Sequence, residues 1–206
     1  MLGHMTIPVH MLLIQKEPVS HVSAVTYPNH HTHLGACLVT EKYSGKGYGQ
    51  NTTHALLDTL DESYTIGLDV DSKLRPQFET RGYETVWNTY IAMLTLDKIS
   101  KNLARTEFPS DTAVKPLRNV NLEKLLEYDS SVFGTSRRIF VERWINVPGS
   151  FGWAAVNENS DEIVGYAVLK QVIRGGGIEI GLAMAPLFAD NVHIAKLLRK
   201  MAAENV

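Results

Sequence analysis

Leu34-Gly35-Ala36-Cys37-Leu38-Val39-Thr40-Glu41-Lys42-Tyr43-Ser44-Gly45-Lys46-Gly47-Tyr48-Gly49-Gln50 is the stretch on which the fold turns. Leu34 to Thr40 has little polar content and predicts a central strand buried on both faces. After the glycines, Thr53, Leu56, Leu57 and Leu60 fall on one face of a helix. A strand that runs through a glycine turn into a helix is a natural anion site. The first helical N–H groups lack intrahelical partners, and the helix dipole adds positive charge there. Glycine lets the backbone come close and take unusual dihedrals. Gly45, Gly47 and Gly49 alternate, so successive N–H groups can line a nest, with Lys46 adding a charge. The spacing is neither that of a Walker A loop nor that of the dinucleotide fingerprint. Taken alone, it is equally compatible with a simple loop.

Working backward, Met11–Gln15 and Val19–Tyr27 read as strands joined by a turn at Lys16-Glu17-Pro18. Pro28-Asn29-His30 turns the chain into the central strand. This hairpin argues against a phosphate-binding module built on a parallel sheet. Working forward, Tyr64–Val70 reads as a strand. A short helix over about Ser72–Thr80 follows, with Gly82 as its C-cap and Pro76 tolerable only in its first turn. Tyr83–Leu96 is rich in β-branched and aromatic residues and predicts one strand or a bent pair. Asp97–Pro116 has the polar, aperiodic character of a linker.

A second unit begins near Leu117. Leu122, Leu125 and Leu126 mark a helix capped by Asn121, and Thr135 or Ser136 is a cap for a helix bearing Ile139, Phe140 and Trp144. Strands follow at Phe151–Val156, Ile163–Val172 and Ile178–Met184, with turns at Asn157–Asp161 and Gly175-Gly176-Gly177. Asp190 is the expected cap of a last helix carrying Ile194, Ala195, Leu198 and Met201. The two units rhyme: a meander feeds a buried strand, a turn and an amphipathic helix. The assignment is therefore α/β (α+β), in two modules: 1–97, a linker at 98–116, and 117–206.

The bulk numbers suit this reading. The chain has 206 residues, 44% of them hydrophobic and 20% charged, enough for one large or two small cores. A net charge of -2 gives no electrostatic case for nucleic acid. No apolar run is long enough to span a bilayer, and Val9–Ile14 is too short for a signal-peptide core. One cysteine, Cys37, cannot form an internal disulfide and fits a reducing compartment, so a soluble, intracellular, cytoplasmic protein is expected.

The quoted stretch resembles the core motif of the GNAT superfamily of acetyl-CoA-dependent N-acyltransferases, Arg/Gln-x-x-Gly-x-Gly/Ala. Gly47 and Gly49 match, and Ser44 takes the Arg/Gln place. Asp71…Phe78 followed by Arg81-Gly82-Tyr83 is similar to the family's Asn…Tyr…Gly-Phe segment. Asp129…Phe133-Gly134…Arg137 and Ala185-Pro186-Leu187-Phe188-Ala189-Asp190 resemble the C-terminal module of tandem members. The resemblance implies two modules, each a mixed, mostly antiparallel sheet flanked by helices. It implies acetyl-CoA or another acyl-CoA as cosubstrate, an amine acceptor, and no metal, nucleic-acid or membrane partner.

The resemblance also implies site residues. Backbone amides from Gly45 to Gln50 (with Ser44, Lys46, Gly47, Tyr48 and Gly49) would hold the CoA pyrophosphate. Ala36–Val39 would pair with the pantetheine arm, Leu38 and Val39 among the contacts. An amide near Leu38 would polarise the thioester carbonyl, and a base, Glu41 first among candidates, would take the amine's proton. The strands at 34–40 and 64–70 would splay to admit the arm. Two departures bear on chemistry. Phe78 stands where relatives carry a tyrosine that protonates the leaving thiolate, and Ser44 replaces a longer polar side chain. Two helices and a strand expected before Met11 are missing, and strands expected after Val206, so both modules read as incomplete. A non-catalytic CoA-binding member of the fold is the alternative function.

His30, His31 and His33 sit at a hairpin tip and read as solvated residues rather than metal ligands. Cys37 reads as a core thiol. His54 and Asp69 are further general-base candidates. Pro186–Asp190 reads as a structural turn, and Trp87, Trp144 and Trp153 as core or interface residues.

Overall fold

The computed structural model describes residues 7–88, 109–174 and 179–204. The chain divides into two compact units, Met1–Ile91 and Ala92–Val206. Each is built on one four-stranded sheet.

In the first unit β1 (Val9–Ile14), β2 (Glu17–Tyr27) and β3 (His31–Val39) form an antiparallel meander. One 3-10 turn, Glu41–Tyr43, then leads to α1 (Tyr48–Leu57), β4 (Thr65–Leu68) and α2 (Arg75–Glu79). The sheet order is β1-β2-β3-β4, with β4 parallel to β3. The first hairpin is tighter than its sequence predicts. Gln15 and Lys16 both take positive φ, 50° and 70°, so a two-residue turn suffices and Glu17 and Pro18 join the strand. Pro76 falls in the first turn of α2, the place where its missing N–H costs least. Val22, Ala24 and Leu34 pack against Leu56 of α1, which covers one face of the sheet.

Three expectations fail here. The second half of β3 is not buried on both faces: Thr32 and Leu34 are buried, whereas Ala36 to Val39 are exposed. Cys37 is exposed with them and is not a core thiol. Residues 83–88 form no strand, and Val86 and Trp87 are exposed, so Trp87 is not a core residue; the rest of the expected strand, and the linker up to 108, lie outside the described residues.

The second unit runs β5 (Thr112–Pro116), α3 (Leu122–Phe133), α4 (Arg138–Ile145), β6 (Ser150–Asn157), β7 (Ile163–Arg174), β8 (Glu179–Ala189) and α5 (Val192–Glu204). All its strands pair antiparallel, in the order β5-β6-β7-β8. Both faces of this sheet are covered. Leu125, Leu126 and Val141 of α3 and α4 pack on one side with Ala154, Tyr166 and Val168. Ile194, Leu198 and Ala202 of α5 pack on the other with Trp153, Ala155, Ala167 and Leu169. Gly152 is required by close packing: a Cβ there would lie 2.3 Å from the carbonyl oxygen of Ala167.

Local details differ from the sequence reading. Residues 112–116, placed in the linker, pair antiparallel with β6 and form a strand. Pro186–Asp190 is no turn; residues up to Ala189 continue β8. Asn121 caps α3 as expected, accepting from the Glu123 and Lys124 amides. Arg137, not Thr135 or Ser136, stands at the N-cap of α4. Asn191, not Asp190, caps α5, accepting from the amides of His193 and Ile194. Asp190 instead accepts from the Tyr128 hydroxyl at 2.9 Å. The turn at 175–177 lies outside the described residues.

A buried polar cluster anchors α3 to the strand floor. Arg137 donates to both Asp129 oxygens (Nε to Oδ1 2.8 Å, Nη2 to Oδ2 2.7 Å), and the Tyr166 hydroxyl donates to Oδ2. The guanidinium lies 4.3 Å from the Phe133 ring centre, with Phe140 and Phe188 also facing it. Burial works against the Arg137 charge, but the Asp129 carboxylate outweighs it and holds the proton more firmly.

Candidate functional site

The candidate site lies in the first unit, where β3 outruns β4. Pairing between them covers His31↔Thr65, Thr32↔Ile66, His33↔Gly67 and Leu34↔Leu68, and stops. β3 continues to Val39 while β4 ends at Leu68. At the divergence β3 carries a bulge: the register against β2 shifts between His21 and Ser23, and Ala36 takes φ 51°. The outer edge of Gly35–Val39 is thereby left without a β4 partner. Five residue steps separate Leu34 from Val39, or about 17 Å of strand edge.

The direction of the edge amides follows from the pairing with β2. Thr40 N–H donates to Val19 O at 2.9 Å, toward β2. Backbone groups alternate along an antiparallel strand. Val39 therefore turns its amide into the slot, as does Cys37 two residues earlier, whereas the amide of Leu38 points at β2.

At the open end of the slot lies the glycine turn. Gly45 and Gly47 take φ of 73° and 81°, values a side chain would strain. Gly47 is the N-cap of α1, and no side chain caps this helix. Its first amides face the turn without a built-in acceptor. The start of α1 is pinned to the sheet: Thr52 donates to the Tyr48 carbonyl at 2.9 Å, and Ser20 on β2 shares a short hydrogen bond with Thr52. Gly49 lets the helix approach β3, since a Cβ there would stand 2.8 Å from Val39 Cγ2. Lys46 lies 5.5 Å from the Tyr43 ring centre, and Tyr48 packs edge-on against Tyr43. Lys42 is held by Glu17 at 2.6 Å, which pulls the Glu17 carboxyl below its usual range.

The other sequence candidates are dispersed. Glu41 opens the 3-10 turn beyond the open end of the slot and is exposed. His54 is on the exposed side of α1. Cys37 is in the slot-lining stretch, but desolvation raises its thiol pKa and so disfavours the thiolate a nucleophile would need. Phe78 packs edge-on against Tyr83 at 5.6 Å. Burial, then the neighbouring Cys37, pushes the Tyr83 phenol up. Asp69 follows β4 and lies 3.7 Å from His33 Nε2. No three His, Cys, Asp or Glu residues are grouped to hold a metal among the described residues. No described helix is long and apolar enough to cross a membrane. Surface concavities of about 460 Å³ along α3 (Glu123, Glu127, Ser131) and about 340 Å³ between β1 and α1 (Met11, Asn51, Ala55) are lined by none of the slot residues.

The start of α5 makes an instructive contrast. It occupies the same place after a meander as α1, yet Asn191 already fills its N2 and N3 amides and Asp190 adds a carboxylate beside it.

Comparison with known proteins agrees with this architecture. Residues 125–206 match the family model for the acetyltransferase (GNAT) domain. The chain is 21% identical over 193 residues to the holothin acyltransferase of Pseudoalteromonas sp. (strain SANK 73390), covering 94% of this chain and 60% of that protein. It thus spans less than two thirds of that relative's length. Among solved structures, a tandem GNAT protein from the clavulanic acid biosynthesis pathway superposes with a TM-score of 0.59 at 11% identity, over 98% of this chain and 69% of that one. A conserved protein of Enterococcus faecalis V583, described as a probable N-acyltransferase, superposes with a TM-score of 0.53 at 13% identity, over 95% of this chain and 51% of that one. The resemblance to the GNAT superfamily and the fold class read from the sequence are borne out.

Proposed function

With residues 125–206 matching the GNAT acetyltransferase domain and the whole chain folding like a tandem GNAT protein, we propose that it transfers an acyl group from acyl-CoA to an amine, with the cosubstrate held in the first unit. The observation that carries this reading is the slot between β3 and β4 ending on the uncapped, glycine-lined start of α1. Either feature alone is weak. Together they offer an anion nest at one end of a strand edge that an extended arm can augment.

In this arrangement the amides from Gly45 to Gln50 hold the pyrophosphate, with Ser44 and Lys46 flanking it. The pantetheine arm runs along Ala36–Val39 toward the closed end at Leu34 and Leu68. The alternation of the strand gives Val39 and Cys37 the amides that face the arm. We therefore assign the carbonyl-polarising donor to Cys37 instead of Leu38; Leu38 and Val39 remain contacts of the arm. Phe78 has no proton to give the departing thiolate. Tyr83, packed against it and kept protonated by burial, carries a phenol that can supply that proton.

Acetyl-CoA is the first cosubstrate to try. Thermal denaturation with and without it, followed by release of free CoA in the presence of primary amines, tests the reading. A full-length chain that acetyl-CoA neither stabilises nor binds in a titration would sink it. The second reading, a CoA-binding protein without turnover, draws on Phe78 and Ser44. Stabilisation by acetyl-CoA with no CoA release across the amines would favour it.

A further inference from the structure

One cluster near the slot has no part in holding the cosubstrate. His31 and His33 stand on the sheet face opposite α1, since the alternating Thr32 and Leu34 are the residues buried beneath that helix. Their ring centres are 6.5 Å apart. Both lean over Gly67 of β4: a Cβ at that position would lie 2.9 Å from His31 Cε1 and 4.0 Å from His33 Nδ1. Gly67 thus leaves the room the two rings use. His33 Nε2 points at Asp69 Oδ2, 3.7 Å away. The His33 side chain is 40% exposed, so solvent and substrate reach it.

The place of this pair along the slot is informative. His33↔Gly67 is the step just before Leu34↔Leu68, where pairing ends. Asp69 is the first residue after β4. The dyad therefore brackets the closed end of the slot, where an arm anchored at the glycine turn delivers its acyl group. Glu41 stands at the opposite end, in the 3-10 turn before the glycines.

We propose that His33 is the general base for the acceptor amine, acting through Nδ1, and that Asp69 is a positioning residue that holds the Nε2–H tautomer. This rests on the acyltransferase reading above. The amine lone pair forms the N–C bond to the thioester carbon, and the C–S pair departs with sulfur as CoA thiolate. The proton shed by nitrogen passes to Nδ1 directly or through one water, and the imidazolium or the Tyr83 phenol protonates the thiolate. Asp69 stabilises the imidazolium, as a carboxylate does for a paired histidine. At 3.7 Å the Asp69 carboxylate lies within ion-pair reach of His33 Nε2. His31 lies on the far side of the ring, with Tyr27 stacked behind it. Burial first, then His33, lowers the His31 pKa and favours its neutral ring.

The test uses the full chain, acetyl-CoA, and two probe nucleophiles. Propylamine must lose protons to react near neutral pH, whereas hydroxylamine is already uncharged. His33→Gln is expected to keep acetyl-CoA affinity and melting temperature, to lose on the order of 10²–10⁴-fold in kcat with propylamine, and to lose the acid limb of its pH profile. Hydroxylamine should be affected much less. Asp69→Asn should lower kcat several-fold and move that limb toward lower pH. If the wild-type chain fails to bind acetyl-CoA, the cosubstrate reading falls and the base with it. If wild type binds and acetylates propylamine while His33→Gln keeps its kcat and pH profile, the base assignment alone is overturned. Binding without acetylation of either amine overturns it too.

Discussion

Gly49 shows how one hydrogen in place of a methyl group sets the geometry of the candidate site. Its Cα faces Val39 Cγ2 so closely that an added Cβ would sit at 2.8 Å, tighter than van der Waals contact allows. Gly49→Ala is therefore expected to push α1 off β3 and to weaken acetyl-CoA binding more than it lowers the melting temperature. Parallel calorimetric titration and thermal denaturation would reveal the opposite ranking if the close approach were incidental. Asp129 is a second single-residue determinant. Removing it leaves Arg137 buried among three phenyl rings with its ion-pair partner gone, so Asp129→Ala should destabilise the second unit by about 3–5 kcal/mol. Denaturant unfolding of the variant measures this; a loss well under that range would mean the cluster relaxes to water. His31 carries a pH consequence. Its folded pKa lies below its unfolded value, so the unfolded chain binds the extra proton. Stability of the first unit should fall as pH drops below about 6.5, the unperturbed histidine value. Melting curves between neutral and mildly acidic pH should show less of this loss in His31→Asn.

At the scale of elements, the two meander-following helices differ in how they begin. α5 closes its first amides with Asn191, and α3 does the same with Asn121. α1 begins at a left-handed glycine with no capping side chain. A helix with glycine in place of a polar cap gives up only about a few tenths of a kcal/mol and keeps its amides for another acceptor. Asn121→Ala should cost about 1 kcal/mol of unfolding free energy, measured in denaturant, with acetyl-CoA affinity unchanged. The strands carry the complementary lesson. β3 stays paired to β2 on both sides of its bulge but loses β4 after Leu34, and the bulge at Ala36 coincides with that parting.

For the molecule as a whole, each unit runs a three-stranded meander into a helix, but the two helices start differently. The prediction at this scale is one acetyl-CoA per chain, seated in the first unit. Calorimetry should give a stoichiometry of one. Saturating cosubstrate should protect amides of β3 and α1 from hydrogen exchange and leave β8 and α5 unchanged. At a hundredfold excess over Kd the bound state gains about 2.7 kcal/mol, enough to resolve. A stoichiometry of two, or protection at the start of α5, would contradict the assignment.

What the sequence determined by itself is what arises between near neighbours along the chain. The glycine turn, the apolar stripe of α1, the Asn121 cap and the position of Pro76 could be read because each rests on spacing over one or two helical turns. The family resemblance extended that reading to the fold class. Tertiary structure decided the rest, because the responsible contacts join residues far apart in the chain. Leu34 to Val39 look apolar enough for a doubly buried strand, yet Ala36 to Val39, beyond the end of β4, are exposed. Which edge amide faces the slot depends on a hydrogen bond from Thr40 to Val19 across the sheet. The pairing of His33 with Asp69, across a parallel step that Gly67 keeps open, is likewise a product of register. Local composition could nominate an anion site; the parting of two strands made it a slot.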